Sequence, residues 1–140
     1  MTNPLERILL ADDDVEYRSA IANALFSYDV DLALNANEAI EKTKNNMYAL
    51  IILDNNMEDG YGDSGIYAIE QIRRFDTKTP IFLHTADLTD YIKNSALRLG
   101  ANDVFSKMIS VRELKEKIKS CKTARLDHQS SLILRNTQLR

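Results

Sequence analysis

The chain has 140 residues, of which 44% are hydrophobic and 28% are charged, and its net charge is −3. This length and composition predict one globular domain whose core needs no disulfide or structural metal. The single cysteine, Cys121, excludes an internal disulfide, and no apolar run is long enough to span a membrane. Because no signal-peptide pattern is visible, we expect a cytoplasmic protein that does not associate with membranes.

The charge is unevenly distributed along the chain. Residues 1–106 carry 9 basic and 18 acidic side chains, whereas residues 107–140 carry 9 basic and 3 acidic ones. A basic C-terminal part could contact nucleic acid or anionic lipid, but a solvated last helix accounts for it more simply. We therefore expect a domain at residues 1–124 that binds no nucleic acid itself. Residues 125–140 are expected to form a basic extension, either a continuing helix or a tail.

Five short apolar runs alternate with segments in which apolar residues recur at helical spacing. The third run has no polar residue at all, and runs of this kind are typical of strands buried on both faces. Alternating strands and helices predict an α/β fold with a parallel sheet, helices on both faces and right-handed crossovers. The runs are Ile8–Ala11, Val30–Leu34, Leu50–Leu53, Ile81–Leu83 and Val104–Phe105.

The helical segments each present an apolar face. Ser110 and Glu113 form a capping-box pattern that predicts the start of the last helix. The residues that mark the expected faces are Ile21, Ala22, Leu25 and Phe26 in the first helix, Ala39, Ile40 and Thr43 in the second, Ile66, Ile69, Ile72 and Arg73 in the third, Ile92, Ala96, Leu97 and Leu99 in the fourth, and Val111, Leu114, Ile118 and Cys121 in the fifth.

Polar residues with complementary chemistry follow four of the five strands. The C-terminal ends of parallel strands lie at one edge of the sheet, where ligands bind in folds of this kind. Clustered carboxylates repel one another and favour a hard cation such as Mg²⁺ or Mn²⁺, and a nearby lysine and hydroxyl form a pocket for a tetrahedral anion. A carboxylate facing both could attack phosphorus and form an aspartyl phosphate. The residues are Asp12, Asp13 and Asp14 after strand one, Asp54 after strand three, Thr85 after strand four and Lys107 after strand five.

These motifs together resemble a response-regulator receiver domain of two-component signalling and chemotaxis, over roughly residues 6–122. The resemblance implies a doubly wound, flavodoxin-like (βα)5 fold with five parallel strands in the order 2-1-3-4-5. It is carried by the stretches ILLADDDVEYR at residues 8–18, LIILDNNM at 50–57, PIFLHTA at 80–86 and LGANDVFSK at 99–107.

The resemblance also implies a role for each site residue. Asp54 is expected to be the phosphorylation site, and Mg²⁺ the cofactor. Thr85 is expected to hydrogen-bond the phosphoryl group, and Lys107 to pair with Asp54 before phosphorylation and with the phosphoryl oxygens afterwards. The metal ligands implied are the side chains of Asp12, Asp13 and Asp54 and the backbone carbonyl of Asn56.

The implied phosphodonor is a phosphohistidine on a sensor histidine kinase or a phosphotransfer protein. Such a domain is not an enzyme acting on other molecules, because it catalyses only its own phosphorylation and dephosphorylation. Phosphorylation is expected to switch a partner-binding face formed by helix four, strand five and helix five. The same face could also form a homodimer. The output partner cannot be named from the sequence, and the chain either acts alone or is part of a longer protein.

Three positions depart from the family pattern. Met108 follows Lys107 where proline is usual, and a trans peptide is expected because a cis bond before methionine costs about 2.5–4 kcal/mol. Val104 stands where a switch aromatic is usual, with Phe105 beside it. The loop Glu58–Gly65 is longer than usual, and its glycines permit positive φ angles, so we expect it to be mobile.

Two other functions compete with a phosphorylated signalling domain. One is a binding module that keeps the receiver fold but acts without phosphate, which the three departures motivate. The other is a Mg²⁺-dependent phosphohydrolase with Asp54 as nucleophile, although Asn56 breaks the Asp-x-Asp pattern of haloacid-dehalogenase-like phosphatases. His84, just before Thr85, is interpreted as a packed residue at the end of a strand.

Overall fold

The computed structural model describes residues 7–57 and 62–121. It contains five strands that alternate with helices, as the apolar runs predict. Among the described residues no helix combines the length and the hydrophobicity that crossing a bilayer requires. The elements are β1 Arg7–Ala11, α1 Val15–Ala24, β2 Asp29–Ala33, α2 Ala36–Asn45, β3 Leu50–Asp54, α3 Ser64–Arg73, β4 Ile81–Thr85, α4 Asp90–Leu99, β5 Asp103–Ser106 and α5 at residues 111–121.

All five strands are parallel and lie in the order β2-β1-β3-β4-β5, which confirms the expected topology. The order reverses at β1, so the C-terminal ends of β1 and β3 flank the position where ligands bind in such sheets. Asp54 is the register partner of His84 on β4, and Thr85 is the partner of Ser106 on β5.

One face of the sheet carries the main hydrophobic core. Alternate strand residues such as Leu9, Ile51 and Leu83 are fully buried there, together with Ala39 of α2 and Ile69 of α3. Because side chains alternate between faces along a strand, their neighbours point to the other side. This core fixes α2, α3 and α4 on one face of the sheet.

The opposite face is buried as well. Leu10, Ile52 and Phe82 are at most 4% exposed. Tyr17 of α1 contacts the ring of His84 on this face, which places α1 here and gives the sheet helices on both sides. β2 is only partly buried because it lies at the edge of the sheet.

Three residues expected on buried helix faces are exposed instead. Phe26 is 83% exposed because α1 ends at Ala24 and Phe26 lies in the turn that follows. Leu97 of α4 is 41% exposed because it projects away from the line of Ala96, the fully buried residue of that helix. Val111 is 45% exposed at the first position of α5.

The last described helix begins as its capping pattern predicts. The Ser110 hydroxyl accepts a hydrogen bond from the Glu113 N–H at 3.0 Å. Leu114 and Ile118 are the buried residues of this helix, and Cys121 is half-buried. The boundary expected near residue 124 and the extension 125–140 lie outside the described residues.

Arg73 at the end of α3 ties together the C-terminal end of α4 and the start of β4. Its Nε and Nη2 atoms donate to the Gly100 carbonyl at 3.1 and 2.9 Å, and Nη2 also donates to Asn102 Oδ1 at 3.0 Å. The same Asn102 oxygen accepts the Ile81 N–H at 2.9 Å. Gly100 ends α4 with a φ of 118°, a conformation that favours glycine.

Candidate functional site

Three carboxylates meet at the C-terminal ends of β1 and β3. Asp12, Asp13 and Asp54 each place a side-chain oxygen within 4.8 Å of the others. Asp12 is fully buried and Asp54 is 2% exposed. Asp14, the third aspartate of the sequence motif, caps α1 instead and accepts the N–H groups of Glu16 and Tyr17. The expected acidic cluster is therefore present, without Asp14.

Backbone contacts fix the position of Asp12. Its N–H donates to the Ala33 carbonyl at 3.0 Å, which extends the β1–β2 ladder by one residue. Its Oδ1 atom accepts the Asp14 N–H at 2.9 Å, and its carbonyl accepts Arg18 Nη1 at 3.2 Å. These contacts leave Oδ2 as the carboxylate atom that faces the lysine of the site.

Lys107 brings a positive charge between the two buried carboxylates. Its Nζ atom lies 2.8 Å from Asp12 Oδ2 and 3.4 Å from Asp54 Oδ2. Burial acts to lower the pKa of Lys107, but the hydrogen bond to Asp12 and the charges of Asp54 and Asp12 outweigh it and raise the pKa. The Lys107 N–H donates to the Thr85 carbonyl at 2.9 Å, so the backbone at the end of β4 sets the position of the lysine.

The peptide after Lys107 is trans, as expected, because none of the described residues has a cis bond. Met108 itself is 89% exposed. The backbone position of Lys107 therefore does not depend on the proline that is usual at this place.

The charge balance of the site favours a cation. Burial and the charge of Asp12 together raise the pKa of Asp54 to about 6, although the charge of Lys107 opposes the shift. One lysine thus only partly offsets the three carboxylates. Carboxylate oxygens are hard ligands of the kind that Mg²⁺ binds, so the donor set fits this ion.

Asn56 and Thr85 lie next to Asp54. The Asn56 N–H donates to Asp54 Oδ1 at 3.3 Å, and its side-chain Nδ2 donates to Thr85 Oγ1 at 3.4 Å. Thr85 is fully buried, and its Oγ1 also accepts the Asp87 N–H at 3.3 Å. The structure therefore brings all six residues expected for the site to the same edge of the sheet.

No aromatic residue of β5 lies on the same face as Thr85. Val104 is 6% exposed and belongs to the core on the α2–α4 side. Phe105 points to the α1 side, where its ring centroid is 5.8 Å from Phe82 and 6.2 Å from His84. Because side chains alternate along a strand, Phe105 cannot substitute for an aromatic residue at position 104.

The last two residues of the loop predicted after Asp54 belong to α3 instead. Ser64 and Gly65 are buried in the first turn of α3, and neither Gly62 nor Gly65 has a positive φ. Asp63 has the positive φ instead, at 51°. Residues 58–61 lie outside the described residues.

Side chains pin both ends of this loop. Ser64 Oγ accepts the Met57 N–H at 2.7 Å. Asn55 is fully buried, donates from Nδ2 to Asp63 Oδ1 at 3.1 Å and accepts the Ile66 N–H at 3.2 Å. These hydrogen bonds hold the residues on both sides of the loop in place beside Asp54.

Sequence reasoning missed one pair of polar residues at the site. His84 is packed at the end of β4, as interpreted, and is 1% exposed. It also contacts the Tyr17 hydroxyl and the Asp12 carboxylate. The tyrosine and the histidine are separated by 67 positions, so no local pattern could have paired them.

Comparisons with known proteins agree with this architecture. The family model of the response regulator receiver domain matches residues 8–119. The chain therefore belongs to the receiver domains of two-component response regulators. The expected family and fold are confirmed.

Two curated relatives are transcriptional regulators. The transcriptional regulatory protein DltR of Streptococcus agalactiae is 31% identical over 96% of this chain and 57% of its own length. A CpxR homolog of Haemophilus influenzae is 33% identical over 83% of this chain and 50% of its own. The chain thus spans about half the length of the curated relatives that it matches.

Solved structures show the same fold. A CheY-like receiver domain protein from Methanospirillum hungatei superposes with a TM-score of 0.81 at 23% identity, over 88% of this chain and 98% of the other. A two-component response regulator from Clostridium difficile has a TM-score of 0.75 at 32% identity, over 82% and 93% of the two chains.

Proposed function

We propose that this domain accepts a phosphoryl group on Asp54 from a phosphohistidine of a sensor kinase or phosphotransfer protein, in a reaction that requires Mg²⁺. The observation that carries the proposal is the position of Lys107 Nζ, 2.8 Å from Asp12 Oδ2 and 3.4 Å from Asp54 Oδ2. This arrangement places a cation against both Asp54 and Asp12, and Asp13 adds a third carboxylate oxygen within 4.8 Å of theirs.

In the proposed reaction an Asp54 oxygen forms a bond to phosphorus while the phosphorus–nitrogen bond of the donor breaks. The bonding electron pair leaves with the imidazole nitrogen, which ends as neutral histidine after taking a proton. Lys107 and Thr85 are placed to hydrogen-bond the phosphoryl oxygens, because both lie beside Asp54. Bound Mg²⁺, held by Asp12, Asp13, Asp54 and the Asn56 carbonyl, would neutralise charge on the phosphoryl group.

We further propose that the domain comprises residues 1–124, acts in the cytoplasm and transmits phosphorylation to an output partner. The relatives are named as transcriptional regulators and are about twice as long as the matched region, which supports an output domain in that class of protein. A movement of Thr85 on phosphorylation would reach α4 through residues 86–89. We therefore propose that α4, β5 and α5 form the face that changes on phosphorylation and that could also form a homodimer.

The test is incubation of the whole chain with a small phosphodonor, such as acetyl phosphate, with and without Mg²⁺. Intact mass spectrometry should show a gain of one phosphoryl group in the wild type with Mg²⁺. Asp54→Asn should show none, and Asp14→Asn should behave like the wild type because Asp14 caps α1 rather than joining the carboxylate cluster.

Other outcomes favour the competing functions. No gain in the wild type, or an equal gain in Asp54→Asn, would overturn the proposal. Multiple turnover of a phosphomonoester would instead indicate a phosphohydrolase. A partner interaction that Asp54→Asn leaves unchanged would indicate a binding module that acts without phosphate.

A further inference from the structure

A histidine and a tyrosine form a buried polar chain behind the acidic site. His84 Nδ1 lies 3.1 Å from the Tyr17 hydroxyl oxygen, and His84 Nε2 lies 3.5 Å from Asp12 Oδ2. That carboxylate oxygen is the atom 2.8 Å from Lys107 Nζ. The chain therefore runs from Tyr17 through His84 to Asp12 and ends at the lysine of the site.

Tyr17 also contacts the lysine directly. Lys107 Nζ lies 4.5 Å from the centroid of the Tyr17 ring, within the range of a cation–π interaction. Tyr17 therefore meets the site at two points, through its hydroxyl at His84 and through its ring at Lys107. A phenylalanine at this position would keep the ring contact with Lys107 and lose the hydroxyl contact with His84.

The surroundings of His84 and Tyr17 determine which of their atoms carry protons. His84 is almost completely buried, and burial favours the neutral form of an imidazole. Burial, with the charges of Asp12 and Asp54, raises the pKa of Tyr17 to about 12, so the phenol keeps its proton. A neutral imidazole has one donor and one acceptor, and the network assigns which is which. A carboxylate oxygen only accepts, so the proton belongs on Nε2, the nitrogen that lies 3.5 Å from Asp12 Oδ2, and Nδ1 then accepts from the Tyr17 hydroxyl.

We propose that Tyr17 and His84 are positioning residues for the phosphoacceptor site. His84 holds the Asp12 carboxylate through Nε2–H, and Tyr17 fixes the tautomer that makes this possible. The inference rests on the proposed function, since the orientation of Asp12 matters because Asp12 is a proposed ligand of Mg²⁺ and a partner of Lys107. Partners behind metal-ligating side chains typically contribute about 10–100-fold to metal affinity or activity.

The test compares His84→Gln with His84→Met in the whole chain. The glutamine amide keeps an N–H donor near the position of Nε2, whereas methionine fills similar space without one. We expect Mg²⁺ affinity, measured by titration, to fall about tenfold in His84→Met. His84→Gln should stay within about threefold of the wild type, since one hydrogen-bond donor is retained. Phe105→Leu removes packing next to His84 but leaves the polar groups of Tyr17, His84 and Asp12 unchanged. It is the control for a general loss of core packing.

Tyr17→Phe provides a second test that needs neither metal nor phosphodonor. In the metal-free protein, the nitrogen chemical shifts of His84 should show a single Nε2–H tautomer in the wild type and a mixture in Tyr17→Phe. Tyr91→Phe, a change at an exposed tyrosine of α4, should leave the tautomer unchanged.

The proposal is overturned if His84→Met binds Mg²⁺ as tightly as the wild type, or if Tyr17→Phe keeps the wild-type tautomer. Failure of the wild type to gain a phosphoryl group would instead refute the proposed function. The two results are distinguishable because the tautomer is measured without phosphate.

Discussion

Lys107 is the residue on which the charge balance of the site depends. It is 16% exposed and is the counterion of two carboxylates that are almost fully buried. A buried charge that loses its partner is far more costly than a surface charge, because no water replaces the lost interaction. The lysine therefore stabilises the fold as well as the site.

We predict that Lys107→Met lowers the free energy of unfolding by up to about 3–5 kcal/mol in the absence of Mg²⁺. The measurement is urea denaturation in the presence of a chelator. Lys93→Met, at an exposed position on α4, is the control and should change stability by less than about 0.5 kcal/mol. Equal stability of the two variants would show that Lys107 does not compensate Asp12 and Asp54.

At the scale of elements, a small side chain at the start of α3 lets this helix approach β3. A Cβ atom on Gly65 would lie 2.6 Å from the Asp54 carbonyl oxygen and 2.9 Å from Asn55 Cα. Both atoms belong to the backbone that carries the phosphoacceptor, so they cannot move without displacing it. Gly65 is therefore required by close packing, and its φ angle is not the reason.

We predict that Gly65→Ala destabilises the fold by about 1–3 kcal/mol through overpacking and slows phosphorylation of Asp54. Gly62→Ala is a closely matched control, because a Cβ atom there has no neighbour within 4 Å. Gly65→Ala should have a lower melting temperature and a slower gain of phosphoryl mass than Gly62→Ala. Wild-type behaviour of Gly65→Ala would contradict the close packing of α3 on β3.

A second link between elements is the ion pair and hydrogen-bond group around Asp31, which joins β2 to α2 and to the segment before β3. Asp31 accepts from Lys42 Nζ at 2.9 Å and from the Tyr48 hydroxyl at 2.6 Å. Burial alone would raise the pKa of Asp31, but these bonds and the charges of Lys42 and Arg7 lower it.

A carboxyl whose pKa is lowered on folding stabilises the protein above its unfolded pKa of about 3.9, and this stability is lost as the pH falls through the folded value. We predict that Asp31→Asn costs about 1–3 kcal/mol at pH 7 and progressively less below pH 4. The difference in unfolding free energy between wild type and variant, measured from pH 7 to pH 3, checks this.

Asp29→Asn is the control for Asp31→Asn, because Asp29 is on the same strand and also pairs with Arg7, but its side chain is 43% exposed. Its effect should be within about 1 kcal/mol at pH 7. A pH-independent effect of Asp31→Asn would indicate that packing, rather than ionisation, accounts for it.

At the scale of the whole molecule, the site joins the ends of four strands, β1, β3, β4 and β5, so a bound cation should stabilise the entire fold. A ligand that binds only the folded state, at 100 times its dissociation constant, adds about 2.7 kcal/mol. We predict that Mg²⁺ raises the melting temperature of the wild type and that Asp13→Asn reduces this gain. NaCl at matched ionic strength is the control, and an equal rise with both salts would argue against a specific cation site.

The apolar runs predicted the sheet and the polar residues at the ends of its strands, because both are local features of the sequence. The strand order and the place of Asn56 in the site were implied by the resemblance to receiver domains. Most of the apolar residues predicted on buried helix faces are buried or half-buried, but not all of them. Phe26 fits the helical spacing but lies beyond the end of α1, and Gly65 looks like a loop residue but is buried in α3. The link between Tyr17 and His84 depends on how α1 lies across the sheet, which no local pattern determines.

The bonds of Arg73 have a mechanical consequence for α4. They hold the carbonyl of Gly100 at the C-terminal end of the helix, while the N-terminal end follows Thr85 by only a short segment. Any displacement of α4 that keeps these bonds is a rotation about Gly100. The helix is then a lever of ten residues with its pivot at one end, so a small shift at the site moves Tyr91 farther than Leu99.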